Sequence, residues 1–238
     1  MVAITLALLS AQVKPMTKLE LISSIEGEIA ITVTPPRGWH TYWLNPGDSG
    51  MPPKITWKLP AGIKDPEIQW EAPQRIEADG LVSYGYEGPM RGVATFKIPA
   101  NFKHQWKATA TASVLVCKTE CIAQSVTATM KFDRTKAASI RELRSRLPKP
   151  ATGNWTLLWN DGRPSLQTDH PTLIKELFPL QGTVLLHEQP IRDHRPAQGQ
   201  THYALNASDL ATGAPKEFSA VVRDSEGNTF WINPRILP

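Results

Sequence analysis

The chain has 238 residues, 41% of them hydrophobic and 20% charged, with 21 prolines, 15 glycines and 2 cysteines. These proportions belong to an ordinary folded protein and exclude a disordered, collagenous or disulfide-stapled chain. At ~100–150 residues per domain the length allows about one to two domains, each able to bury a core. A net charge of +4, from 26 basic and 22 acidic residues, does not require a nucleic-acid partner. No apolar run nears the roughly 20 residues of a membrane helix, so direct membrane insertion is not expected.

Up to about Asp133 the pattern is one of short apolar or alternating runs split by turn residues, as in a β-sandwich. Strands are expected over residues 2–10, 19–23, 28–34, 40–43, 54–59, 94–98, 106–116 and 125–132. The first run is apolar but lacks the positive flank of a secretory signal, so it reads as a strand rather than a leader. Pro35-Pro36-Arg37-Gly38, Asn45-Pro46-Gly47-Asp48-Ser49-Gly50 and Pro60-Ala61-Gly62 separate the runs. Fixed proline φ and the freedom of glycine at positive φ make these turns rather than helices.

Residues 134–148 break that rhythm. Ile140, Leu143 and Leu147 recur at helical spacing among Lys, Arg and Glu, and Pro148 ends the run, which predicts a short amphipathic helix. Its cations, Arg141, Arg144, Arg146 and Lys149, read as a solvated face, with an anion-binding face as the alternative. The β pattern then resumes. Trp155, Leu157 and Trp159 alternate ahead of Asn160-Asp161-Gly162, a strong hairpin signal. Further strands are expected over 182–187, 201–207, 218–223 and 229–233, the last two flanking the turn Ser225-Glu226-Gly227-Asn228. Residues 170–177 read as one or two helical turns. The domains are therefore placed at 1–133 and 151–238, with 134–150 as a helical connection, and the second is of a size that suits an immunoglobulin-like sandwich.

Cys117 and Cys121 stand at the end of one strand-like run and the start of another. Along a straight strand they would lie ~13 Å apart, too far for the ~4.4–6.8 Å between Cα atoms that a disulfide permits. If Lys118-Thr119-Glu120 form a three-residue turn, the thiols face each other across a hairpin mouth. A bond there closes a very short loop and stabilises by only about 2 kcal/mol, which suits reversible exchange better than stapling. Lys118 favours a thiolate at Cys117 and Glu120 opposes one at Cys121. From the residues alone four readings stay open: a structural hairpin disulfide, two unpaired buried thiols, thiol–disulfide exchange, or Cu(I) held by both sulfurs with Met90 or His104.

A set of motifs narrows this. Trp39-His40-Thr41-Tyr42-Trp43, Asn45 to Pro52, Gln69-Trp70-Glu71-Ala72-Pro73-Gln74-Arg75-Ile76, Tyr84-Gly85-Tyr86-Glu87-Gly88 and Leu115 to Ile122 occur in this order. Together, over roughly residues 30–125, they resemble the periplasmic amino-terminal region of DsbD-like thiol:disulfide interchange proteins. The likeness is greatest to the ScsB branch, linked to suppression of copper sensitivity. The resemblance implies an all-β fold of two tandem immunoglobulin-like sandwiches and a periplasmic location. It implies a redox pair Cys117 and Cys121, with Cys121 the sulfur that partners engage in a mixed disulfide. Electrons would reach the pair from the membrane and thioredoxin-like domains of the same reductase, and leave to thioredoxin-like periplasmic proteins. Related modules shield the pair with an aromatic cap loop, and the corresponding rings here are Tyr84 and Tyr86, with Gly85 and Gly88 as hinges; the competing reading makes both rings half-buried sandwich residues. The chain departs from many relatives in carrying Ala123 where they have a proline after the Cys-Ile pair.

The remaining features point to packing. Trp39, Tyr42, Trp43, Trp57 and Trp70 read as core and turn residues rather than a sugar-stacking row, and His40 as a strand residue with a satisfied ring. Asp48, Ser49 and His40 lack the Gly-x-Ser-x-Gly elbow of a hydrolase. No cofactor is expected. The second domain, without cysteine, is expected to space the first or to dock partners. A non-redox protein- or sugar-binding module and a Cu(I) carrier are the alternatives to the exchange reading.

Overall fold

The computed structural model describes residues 16–25, 27–100, 106–187 and 200–237, and the backbone of 192–194. The strand expected over 2–10 lies outside the described residues.

Alternation builds the first sandwich. In β2 (Glu28–Thr34), Ile29, Ile31 and Val33 are wholly buried while their neighbours are half-exposed. Each fully buried aliphatic side chain is worth about 1.5–3 kcal/mol. This strand sits within a five-stranded sheet ordered β11 (Lys131–Phe132), β1 (Lys18–Ser23), β2, β8 (Met90–Thr95) and β5 (Glu67–Trp70). Facing it, β10 (Cys121–Thr129), β9 (Thr109–Cys117) and β4 (Lys54–Lys58) form a second sheet, with Ala110, Ala112, Val114 and Val116 of β9 turned to the shared core. Beyond it lie β3 (Thr41–Gly47), β7 (Leu81–Tyr86) and β6 (Gln74–Ala78), joined to β9 by a bridge between His40 and Cys117.

The helix forms where expected, as a 3-10 turn at Arg134–Lys136 followed by α1 (Ala137–Arg146). Asp133 starts it by accepting from the Thr135 amide at 2.9 Å. Ile140, Leu143 and Leu147 are buried, and the last two pack with Val93 of β8. The cations lean onto the first sandwich: Arg144 pairs with Glu28, and Arg146 with Glu71 and Glu142. These arginines are nearly half exposed, so the pairs add little and the apolar residues hold the helix in place.

A second sandwich follows. One sheet runs β12 (Lys149–Pro150), β19 (Thr229–Ile232), β18 (Ala220–Asp224), β15 (Ile174–Pro179). The other runs β16 (Arg192–His194), β17 (Thr201–Ala204), β14 (Arg163–Thr168), β13 (Trp155–Asn160), β20 (Arg235–Leu237). The protein is thus nearly all-β, two sandwiches of immunoglobulin-like type with one helix between them. Asp161 and Gly162 both take positive φ, 46° and 75°, and close the β13–β14 hairpin as the Asn-Asp-Gly signal requires.

Several elements differ from expectation. Residues 170–177 contain the start of β15 rather than helical turns, because pairing with β18 buries Ile174 and, further along, Phe178. Residues 182–187 form turns with a single bridge, Leu185 to Ala207, instead of a strand. The strands β5, β6 and β7 were not expected: β5 alternates over only 4 residues, β6 is short and rich in polar side chains without clean alternation, and β7 is buried almost continuously with a glycine inside it.

The sandwiches share a core. Phe178 and Val221 of the second belong to the hydrophobic cluster of the first. Trp43 of β3 stacks on Trp231 at 6.2 Å and meets Phe178 edge-on at 6.5 Å, and Tyr84 of β7 meets Phe178 at 5.4 Å. Asn45 Nδ2 donates to the Pro179 carbonyl at 2.7 Å, and Arg223 Nη2 to the Pro73 carbonyl at 2.8 Å.

Candidate redox site

The two cysteines face each other because of how β9 is paired. Cys117 exchanges both its backbone hydrogen bonds with His40, its amide donating at 3.0 Å and its carbonyl accepting at 2.9 Å. Toward β10 it is therefore in a non-hydrogen-bonded position, where opposed Cα atoms approach to about 4.5 Å. Its partner in register is Cys121, with Cα atoms 4.1 Å apart, and the sulfurs are joined as a disulfide. Lys118, Thr119 and Glu120 form the intervening turn and are exposed, with the Lys118 amide donating to the Glu120 carbonyl at 3.1 Å. The two half-cystines are unequal: Cys117 is 3% exposed, whereas Cys121 lies open to solvent at the start of β10.

A tyrosine expected only to pack flanks the exposed sulfur. The Tyr42 hydroxyl is 3.9 Å from Cys121 Sγ and 3.2 Å from His40 Nε2, with the two rings edge-on at 5.2 Å. Gly50 makes this placement possible: a Cβ there would fall 2.2 Å from the Tyr42 ring, and its φ of +98° suits glycine. Burial raises the Tyr42 phenol above its ordinary value, with a smaller opposing effect from the Ser49 hydroxyl, so the group stays a donor at neutral pH. Burial likewise lowers the half-buried His40, partly offset by Glu87, which keeps the ring neutral. With its proton on Nε2, His40 donates to Tyr42, and Tyr42 is then free to donate to sulfur. Alternation along residues 40–43 was visible in the sequence, but nothing in it said that this face meets the cysteines.

Tyr84 and Tyr86, the expected cap rings, are both buried and have other partners. Tyr84 lies against Phe178 and His187, its hydroxyl 3.0 Å from His187 Nδ1, and Tyr86 donates to the Glu71 carbonyl at 2.7 Å. The hydroxyl beside Cys121 is that of Tyr42. Gly85, expected as a hinge, is instead a packing position, since a Cβ there would lie 2.0 Å from the Thr41 carbonyl oxygen. Met90, considered as a metal ligand, is wholly buried in the core, and His104 lies outside the described residues. Trp43 and Trp70 are core residues, as expected. No helix among the described residues is long and apolar enough to cross a membrane.

A cystine with one half sealed in a β-sandwich and the other presented at a hairpin mouth has the geometry that thiol–disulfide exchange requires. The comparisons agree. The family model for the amino-terminal region of the thiol:disulfide interchange protein DsbD matches residues 10–132, and the chain belongs to that family. Among solved structures, the N-terminal periplasmic domain of ScsB from Proteus mirabilis shares the fold, with a TM-score of 0.62 and 16% identity over 92% of this chain and 91% of that one. The periplasmic chaperone SfaE aligns over 93% of this chain and 100% of its own, at 9% identity and a TM-score of 0.19, too low to argue from. Comparison with curated proteins finds no match.

Proposed function

We propose that the protein is a periplasmic electron relay of the ScsB type, accepting two electrons at Cys117–Cys121 from a membrane-embedded reductase and passing them to thioredoxin-fold partners. The observation that carries this reading is the inequality of the two sulfurs, one open and one buried. A donor thiolate attacks Cys121 Sγ in line with the S–S bond, forming a mixed disulfide and displacing Cys117 as a thiolate, which takes up a proton. The donor's second thiol, deprotonated, then attacks its own sulfur in the mixed disulfide and expels Cys121 as a thiolate. Donor dithiol has become disulfide, and the module holds the electron pair as two thiols. Delivery runs in reverse: Cys121 attacks a partner disulfide and Cys117 resolves the intermediate. Tyr42 acts at the Cys121 thiolate, which appears in both directions, by offering its O–H as a donor.

The test is trapping. A Cys117→Ser protein, with Cys121 as its one thiol, is incubated with periplasmic extract and resolved by mass spectrometry before and after dithiothreitol. The expected outcome is a reducible covalent adduct with a thioredoxin-fold protein, absent from Cys121→Ser. A folded Cys117→Ser protein that forms no such adduct would overturn the reading.

A further inference from the structure

Strand β3 faces two ways. His40, just before it, and Tyr42 address the cystine, whereas Trp43 and Asn45 address the second sandwich. The contact is tight as well as apolar. A Cβ added to Gly182 would fall 2.9 Å from Asn45 Oδ1, so backbone of the second sandwich abuts the Asn45 side chain directly. Asn45 Oδ1 also accepts from the Gly47 amide at 3.0 Å, which ties the same side chain into the turn that carries Gly50 against the Tyr42 ring. The sheet holds only the start of this strand: Thr41 and Tyr42 pair with Tyr86 and Gly85 of β7, but the pairing then shifts register before resuming at Gly47, so residues 43–46, which include Trp43 and Asn45, are not locked by it.

We propose that the second sandwich is a positioning element of the redox site, holding β3 through Trp43 and Asn45 so that the Tyr42 hydroxyl stays beside Cys121. This deepens the exchange reading and rests on it for its purpose. The second sandwich contributes no reacting atom. Its Trp231 ring and Pro179 carbonyl act through β3, and what they set is the stability of the Cys121 thiolate, hence how readily Cys121 leaves and attacks. The domain without cysteines is thereby part of the catalytic unit rather than a spacer.

The experiment reads the acidity of Cys121 directly, in the Cys117→Ser background, from the pH dependence of alkylation by iodoacetamide. Among the described residues, the ionisable groups around the cystine include Tyr42, His40 with Glu87 acting on it, and Lys118 and Glu120 in the turn. Apart from Tyr42 in the reference variant, all are kept, so a shift reports on the Tyr42 donor. Loss of a hydrogen bond to an ionised group moves a midpoint by about one unit. Tyr42→Phe is expected to raise the midpoint by up to about that much, and Asn45→Ala and Trp231→Ala to raise it in the same direction, with Trp231→Phe restoring most of the shift. Tyr42→Phe combined with Trp231→Ala is expected to shift no further than Tyr42→Phe alone, because both remove one interaction. Unshifted midpoints in Asn45→Ala and Trp231→Ala, or an additive shift in the double variant, would overturn the proposal. If Trp231→Ala fails to fold, Asn45→Ala, which removes the hydrogen bonds with the Pro179 carbonyl and the Gly47 amide but no ring, decides it. A small reagent needs no partner, so failure of partner trapping with these shifts intact would overturn the relay and leave the positioning in place.

Discussion

Each sandwich closes one of its hairpins with a short turn, and the two hairpins differ in what stands at the mouth. In the second, Asp161 and Gly162 join β13 to β14 with Asn160 opposite Arg163, and the turn serves only to set register. In the first, three residues join β9 to β10 and the opposed pair is Cys117 and Cys121. The framework is the same, strands of alternating burial over an apolar core. Only the first adds a flanking element, β3, that turns a hydroxyl toward one sulfur. Chemistry here is thus a property of what borders a hairpin, not of the sandwich that supplies it. The second sandwich enters the comparison again from behind, because the strand that borders the cystine also packs against Phe178 and Trp231.

The contrast can be broken first at that shared core. Phe178→Ala removes a side chain that is 1% exposed and touches both Trp43 and Tyr84. A loss of about 3–5 kcal/mol is expected. In urea the two sandwiches should still unfold in one transition at a lower midpoint, and two resolved transitions would show that they are independent. Next in size is the cystine itself. Reducing Cys117–Cys121, whose members are 4 apart in sequence, should lower stability by about 2 kcal/mol. A much larger loss by denaturant titration with and without dithiothreitol would make the bond a staple. In the other hairpin, Gly162 has φ +75° with no atom within 4 Å of an added Cβ, so Gly162→Ala meets backbone strain alone. It should cost about 1 kcal/mol and leave thiol exchange unchanged.

The smallest effect is a pH dependence at the redox hairpin. Burial holds the folded His40 below its ordinary value of 6.5, so on acidification the unfolded chain takes up a proton first. Stability contributed by neutral His40 is full above pH 6.5 and declines as pH falls through the lowered folded value. The wild type should lose more stability than His40→Gln over this window, measured by thermal unfolding at a series of pH values. Equal profiles would remove His40 from the site's electrostatics.

Much of this was legible in the sequence where the local signal was strong. The strand at Glu28–Thr34 was read with its observed bounds, since alternation of Ile and Val with polar residues is a period-2 pattern that only a strand satisfies. The helix was legible from Ile140, Leu143 and Leu147, and both the Asp161-Gly162 turn and the three-residue turn at 118–120 from their composition and spacing. Strands β5 to β7 are not legible, because β5 and β6 are short, at 4 and 5 residues, and β7 does not alternate, although β6 and β7 form a local hairpin with Ala78 opposite Leu81. The start of β15 is strand rather than helix because its partner β18 lies far away in the chain and overrides weak local preference.

The site divides the same way. The cysteine pair and its turn are local in the chain, and their spacing allows the two sulfurs to meet, while the pairing of Cys117 with His40 sets them opposite each other. Which sulfur is open, and that Tyr42 rather than Tyr84 has its hydroxyl beside Cys121, depend on contacts spanning up to 79 residues. Tyr84 and Tyr42 look alike as sequence, each an aromatic in a short strand beside a glycine turn. Only packing against the second sandwich, which covers Tyr84 with Phe178 and His187, separates their roles. A side chain's environment is the sum of its neighbours in space, and the fold, not the order of residues, brings those neighbours together.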